Sequence, residues 1–271
     1  MTRPVIALTT DFGEIDAYVA IMKGVILGIC PRARLVDISH RVRPQAVAQA
    51  AYLLSTAAPY FPPGTIHLVV VDPGVGTARH AVAVASAQAV YVAPDNGVLT
   101  LALARDPAVQ AVHLTNPRYH LPEVSATFHG RDIFAPAAAH IACGVPLADL
   151  GQGIDPHALR HIETAQVRLQ GAGPWRAQVI HVDHFGNVVT NVHVDDMAPP
   201  DKEIVVHAGG KQIVGIQRTF GDAATDEALA YRGSSGRLEV AVCGGSAARV
   251  LGIDIGDPIL VLRGEKAAGV E

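Results

Sequence analysis

The sequence predicts an α/β fold: a mostly parallel α/β sandwich domain over residues 1–165, then a smaller all-β, barrel-like domain over residues 175–271, joined by a linker at 166–174. Three observations lead there. Through roughly the first 160 residues, short β-branched or aliphatic runs alternate with stretches of helical apolar spacing, the signature of strands in one sheet with helices on its faces. The stretch around Gln166, Gly171, Gly173 and Pro174 is linker-like. From Trp175 onward the helical periods stop, and short strands divided by polar turns take over.

Residues 5–8 (VIAL) form an apolar run without alternation, as in a strand covered on both faces, and Thr9, Thr10, Asp11 and Gly13 close it. Residues 17–29 carry apolar side chains at helical spacing, with Asp16 where a negative charge favours a helix start. A strand at 35–38, a helix at 46–55 and a strand at 65–71 follow. Pro73, Gly74 and Gly76 forbid that third strand from continuing, so Asp72 stands at its carboxyl end. Arg79 opens the next apolar run, 81–85, which implies a hairpin-like return that brings Asp72 and Arg79 together. A strand at 90–93 ends in Pro94-Asp95-Asn96-Gly97, a helix covers 98–104, and a strand covers 109–114. Thr127-Phe128-His129-Gly130-Arg131-Asp132 precedes a helical stretch at 133–143, which puts His129 at a helix N-terminus. Strands at 177–182, 188–192, 203–206, 211–214, 238–242 and 259–262 complete the second domain, with polar turns at 183–187 and 231–236.

A chain of 271 residues with 49% hydrophobic and 17% charged residues has ample material for a core. The net charge of −4 and the lack of a Lys/Arg cluster give no footprint for nucleic acid. Cys30, Cys143 and Cys243 are scattered without a CxxC pair, which argues against a disulfide framework or a zinc site and fits a reducing, cytoplasmic setting. No apolar run reaches the ~20 residues of a membrane helix. GxGxxG after the first strand and GxxxxGK[ST] are both absent, which excludes the common nucleotide loops.

In open α/β sheets, ligands bind at the carboxyl ends of strands, the position of both Asp11 and Asp72. An Asp beside an Arg at a strand end is also what an ordinary loop ion pair looks like. Aromatic residues beside amides and hydroxyls in the 183–187 and 231–236 turns suit a flat heteroaromatic ligand, and equally suit plain hairpin turns. A metal-dependent hydrolase built on Asp11, Asp72, Asp95 and His129 is a rival reading, weakened by the absence of HExxH or HxH spacing. A non-catalytic binder is another.

Taken together, TTDFG at 9–13, VVVDPGVG at 69–76 with Arg79, PDNG at 94–97, HGRD at 129–132, DHFGNVVTN at 183–191 and SSGRLEVAV at 234–242 resemble the SAM hydroxide adenosyltransferases, relatives of the fluorinating and chlorinating SAM enzymes. The similarity runs the length of the chain in matching order. It implies attack of water or hydroxide on C5′ of S-adenosyl-L-methionine, giving adenosine and L-methionine, with Asp72, Arg79 and His129 as the catalytic triad. It implies further that Asp11 binds the ribose diol and that Asp16, Asp183 and Ser234 hold the methionine amine and carboxylate. Phe220, Tyr231 and Asn187 would frame the adenine, with Phe185 and Ser235 also among the substrate contacts. Halogenating relatives carry an apolar residue in place of Asp72 and a halide-contacting serine in place of Gly130, so the resemblance points away from a halogenase. The chain departs from the pattern at Cys243, where many relatives have Asn, and at Gln45, where an aromatic residue is common. No cofactor or metal is implied. The expected assembly is a homotrimer in which the β domain of one subunit completes the site of its neighbour.

Overall fold

The computed structural model describes residues 3–162, 174–197 and 204–263, so the expected linker at 166–174 lies outside the described residues except for Pro174. The chain divides into two compact units, Met1–Ile162 and Glu163–Glu271.

The first unit is a seven-stranded sheet: β1 (Val5–Thr10), β2 (Arg34–Ser39), β3 (Thr65–Val70), β4 (Ala81–Ser86), β5 (Ala89–Pro94), β6 (Ala108–Leu114) and β7 (Gly151–Ile154), in the spatial order 2-1-3-5-4-6-7. All six residues of β3 are buried, as expected of a central strand with both faces covered. Alternate residues serve opposite faces. Leu68 and Val70 pack with Met22 and Ile26 of α1 (Tyr18–Ile29) and the alanines of α4 (Ala135–Ala142). Val69 and Val71 pack with Leu54 of α2 (Val47–Ala57) and Ala102 of α3 (Thr100–Leu103).

Strands β2, β1, β3 and β5 are parallel, whereas β4, β6 and β7 add antiparallel pairings. The reason is connection length: Ala87 and Gln88 alone join β4 to β5, and so short a link permits only an antiparallel hairpin. This also corrects the expected return after Arg79. β5 inserts between β3 and β4, so the turn closes on itself at Asp72 and Arg79 without a hairpin beneath it.

The second unit is an eight-stranded barrel-like sheet in the order 11-10-15-8-9-14-13-12, where β8 is Trp175–Val182, β9 Val188–His193, β10 Ile204–Ala208, β11 Lys211–Val214, β12 Ile216–Gln217, β13 Ala228–Arg232, β14 Arg237–Val242 and β15 Pro258–Arg263. Its pairings are antiparallel apart from β12 with β13. Trp175, Val179, Val188, Val206, Leu238, Val240 and Ile259 fill its core, and α5 (Ala247–Leu251) packs against it. Tyr231 and Arg232, expected in a turn, instead finish β13.

Candidate active site

Asp11 and Asp72 leave the carboxyl ends of the neighbouring parallel strands β1 and β3, which are paired through Thr10 and Val70. Parallel pairing points both carboxylates to the same edge of the sheet. The Asp72 carboxylate meets the Arg79 guanidinium as a fork, with Arg79 Nε donating to Oδ1 at 3.0 Å and Nη2 donating to Oδ2. Both side chains are 6% exposed, a degree of burial that an ordinary loop ion pair lacks. The guanidinium also lies 5.2 Å from the centroid of the Phe134 ring. Asn96, from the PDNG turn, donates through Nδ2 to the Val71 carbonyl at 2.9 Å and so fixes the backbone just before Asp72.

His129 joins them from 50 residues away. Arg79 Nη2 lies 3.1 Å from its Nδ1. A guanidinium has only donors, so Nδ1 accepts, and the ring is neutral with its proton on Nε2. Burial holds the His129 pKa below 6.5, Arg79 lowers it further, and Asp72 and Asp132 partly oppose both effects. Two local features dock this ring. Gly76 adopts φ +74°, and a Cβ there would stand 2.4 Å from the Ala126 carbonyl, so only glycine lets the 72–79 turn abut the segment leading to His129. Beyond His129 comes one wide π-type turn, Gly130–Phe134. Pro136 cannot donate to the Asp132 carbonyl, which accepts instead from Leu121 N at 2.9 Å. The buried Asp132 carboxylate is held by Arg131 and by Ser125 N.

The Asp11 loop is braced twice. Gln45 N donates to Asp11 Oδ2 at 2.7 Å, and Gln45 adopts φ +66° to do so. Thr10 Oγ1 is hydrogen-bonded to His40 Nδ1 at 2.9 Å, while Gly13 N donates to the His40 carbonyl at 2.8 Å. Asp16 is exposed and precedes Ala17, the N-cap of α1. Phe12, Tyr18 and Phe128 form an aromatic triangle with centroids 5.2–5.8 Å apart. Sequence reasoning passed over Tyr18 because it reads as part of the helix period.

In the second unit, six of the expected contacts line a single cleft of ≈ 710 Å³: Asp183, Phe185, Asn187, Phe220, Tyr231 and Ser234. Asp183 organises its own turn, since Oδ1 accepts from Phe185 N at 2.9 Å and Asn187 N at 2.8 Å, and Oδ2 accepts from Asn187 Nδ2 at 2.8 Å. Phe185 is 75% exposed at the mouth. The Phe220 and Tyr231 rings lie 5.0 Å apart at 52°. Ser235, half-buried, follows Ser234 in the turn but does not line the cleft. Glu239 does line it, and sequence reasoning missed it. Its carboxyl accepts from Tyr231 Oη at 2.5 Å, and burial pushes its pKa up. The signal was present: a lone acid in the otherwise apolar run LEVAV is a buried acid with a partner.

Among the described residues, no group of three or more His, Cys, Asp or Glu side chains is arranged to hold a metal ion. Nor is any helix among them long and apolar enough to cross a membrane.

Two family models match the chain: the SAM hydroxide adenosyltransferase N-terminal domain over residues 6–151 and the corresponding C-terminal domain over residues 177–260. A protein of Salinispora tropica named (R)-S-adenosyl-L-methionine hydrolase is 44% identical over 262 residues, covering 96% of this chain and 98% of its own. A fluorinase of an Actinoplanes species is more distant, at 29% identity over 219 residues, covering 72% of this chain and 74% of its own. The crystal structure of an uncharacterized conserved protein from Thermotoga maritima matches with a TM-score of 0.87 at 37% identity, covering 96% of this chain and all of the other. On both domain models and near-full-length identity, the chain belongs to the SAM hydroxide adenosyltransferase family.

Proposed function

We propose that this protein is a hydrolase that cleaves S-adenosyl-L-methionine at C5′ with water, giving adenosine and L-methionine. The observation that carries the reading is the convergence of Asp72, Arg79 and His129 at the carboxyl end of β3. The name of the Salinispora tropica relative supports it.

The sulfonium is already a good leaving group, so the task is to present an aligned nucleophile. Positioning of that kind supplies about 7–11 kcal/mol. Water itself, with a pKa of about 15.7, is a poor nucleophile. In our reading the water lies between the Asp72 carboxylate, which accepts its proton, and the Nε2–H of His129, which stabilises the hydroxide as it forms. Oxygen bonds to C5′ as the C5′–S bond breaks, and that electron pair neutralises sulfur and releases methionine. Arg79 acts through the other two: its hydrogen bonds go to Asp72 and His129 and fix both. The Asp11 carboxylate takes the ribose diol. The Asp183 cleft takes the adenine between Phe220 and Tyr231 and the methionine end at Asp183 and Ser234, with Asp16 adding to the amine site.

The triad and the cleft belong to different compact units. We propose a homotrimer in which a neighbour's β unit completes each site, needs no metal, and works in the cytoplasm. Incubation with S-adenosyl-L-methionine after exhaustive chelation, followed by chromatography, tests the reaction. Adenosine and methionine in equal amounts are expected, and their absence refutes the reading. Light scattering tests the assembly, and a fully active monomer at nanomolar dilution refutes the shared site.

A further inference from the structure

Behind Asp11 stands a polar cluster that lies outside the triad. β1 and β2 run in parallel register from Val5 opposite Arg34 to Leu8 opposite Asp37, and then the register slips, so that Thr9 stands opposite Ser39. The slip leaves Ile38 without a counterpart, and irregularities of this kind re-aim the side chains beyond them. His40, the first residue after β2, is thereby brought beside Thr10.

The His40 ring is buried and has a polar neighbour at each nitrogen. Nε2 lies 3.0 Å from Asp37 Oδ1, while Asp37 Oδ2 accepts from Lys23 Nζ of α1 at 2.6 Å. A carboxylate only accepts, so the ring carries its proton on Nε2, and Nδ1 accepts from the Thr10 hydroxyl at 2.9 Å. The His40 carbonyl takes Gly13 N at 2.8 Å. His40 therefore grips the chain both before and after Asp11, and Lys23 and Asp37 hold it from behind.

We infer that His40 is a positioning residue for ribose recognition: through Thr10 and Gly13 it holds the Asp11 carboxylate in the orientation that a vicinal diol requires. The inference rests on the assignment of Asp11 to the ribose diol. A diol presents two O–H donors to one carboxylate, so its recognition depends on the angle of that carboxylate as well as its place. Asp11 is only half-buried, and Gln45 N holds its Oδ2, so the backbone on either side supplies the rest of the constraint. A misplacement of about 1 Å is enough to cost ~100-fold where geometry is this demanding. His40 touches no ligand itself, because it lies behind Thr10, whose own side chain is fully buried.

The probes are adenosine and 2′,3′-dideoxyadenosine, which differ only in the two ribose hydroxyls, titrated calorimetrically into the full-length protein. Wild type should prefer adenosine by roughly 10–150-fold, the value of hydrogen bonding to a charged group. Asp11→Ala should abolish the preference. A wild type without a preference, or an Asp11→Ala variant that retains it, would refute the ribose assignment itself and the role of His40 with it. Thr10→Val and His40→Gln both remove the hydrogen bond between Thr10 and His40, and each should lower the preference at least ~3-fold, the scale of one hydrogen bond. His40→Asn, whose Oδ1 takes the place of Nδ1 as acceptor, should restore most of it. A loss of packing alone weakens both ligands alike and leaves their ratio at the wild-type value. An unchanged ratio in Thr10→Val or His40→Gln, or a ratio in His40→Asn as low as in His40→Gln, overturns the inference. Thr10→Val exchanges a hydroxyl for a methyl of the same shape and decides the matter even if the His40 variants do not fold.

Discussion

Replacing Arg79 by Leu should unmask a buried charge. The Asp72 and Arg79 side chains are 6% exposed, and one of their two contacts is 3.0 Å long. At an effective dielectric of about 20, unit charges at that separation attract by roughly 5–6 kcal/mol. Desolvation of both groups offsets most of this, so the intact pair adds little net stability. Removing one partner is different, because it leaves the other charge buried and uncompensated at about 3–5 kcal/mol. Arg79→Leu is therefore expected to lose that much stability in urea unfolding at fixed protein concentration. Asp72→Asn/Arg79→Leu should recover at least about half of the loss, since a buried amide costs less than a buried carboxylate. Both variants should release adenosine at least ~100-fold more slowly, as expected when a group that positions the reacting water is lost. Unfolding midpoints that stay at the wild-type value in Arg79→Leu, or a double variant as unstable as the sum of its parts, would refute the buried-pair reasoning.

Acid should silence the enzyme through His129. Its neutral ring accepts from Arg79 and its pKa is held below 6.5, so the acid limb of kcat/KM, where the ring protonates, should be centred below that pH; a limb centred above 6.5, or one unchanged in His129→Gln, would count against this. Gly130→Ser should lose about 1–3 kcal/mol by overpacking and gain no halide chemistry, since its Cβ would lie 3.2–3.3 Å from Met22 Sδ, Phe128 Cε2 and Val70 Cγ1 and the Asp72 charge remains; thermal unfolding and a search for 5′-chloroadenosine in high chloride check both halves. Gly186→Ala should raise KM for S-adenosyl-L-methionine more than it lowers kcat, because φ +87° and a Cβ 2.0 Å from Ser246 Oγ would disturb the turn that Asp183 organises; steady-state kinetics with an unchanged KM would show that this turn does not hold substrate. His67 predicts a stability profile of its own: above pH 6.5 folded and unfolded chains are both neutral there, whereas between 6.5 and about 4 only the unfolded chain takes the proton, so stability falls by about 3 kcal/mol across that window and the fall is missing in His67→Phe.

Most strands and helices, and the sheet edge at which Asp11 and Asp72 stand, are legible in the chain read in order. Largely apolar runs leading into Thr10-Asp11 and Val71-Asp72 mark central strands with carboxylates at their carboxyl ends, because Gly and Pro beyond each carboxylate stop the strand and burial on both faces favours apolar side chains without alternation. The DHFGN turn was legible for a similar local reason: an Asp followed by Gly within four residues folds onto its own amides. Tertiary structure decided what lies far apart in the chain. The insertion of β5 between β3 and β4 depends on which strand edges pair, and no local propensity encodes that. His129 reaches Arg79 across 50 residues only because Gly76 lets two loops touch. Phe220, Tyr231 and Glu239 share a cleft with Asp183 through barrel pairing, and His67, an ordinary strand residue by sequence, becomes an unpaired buried imidazole only once α2 and Tyr91 close around it. Local sequence fixes backbone conformation and burial pattern, whereas contacts at long separation depend on packing, which one chain read in order does not display.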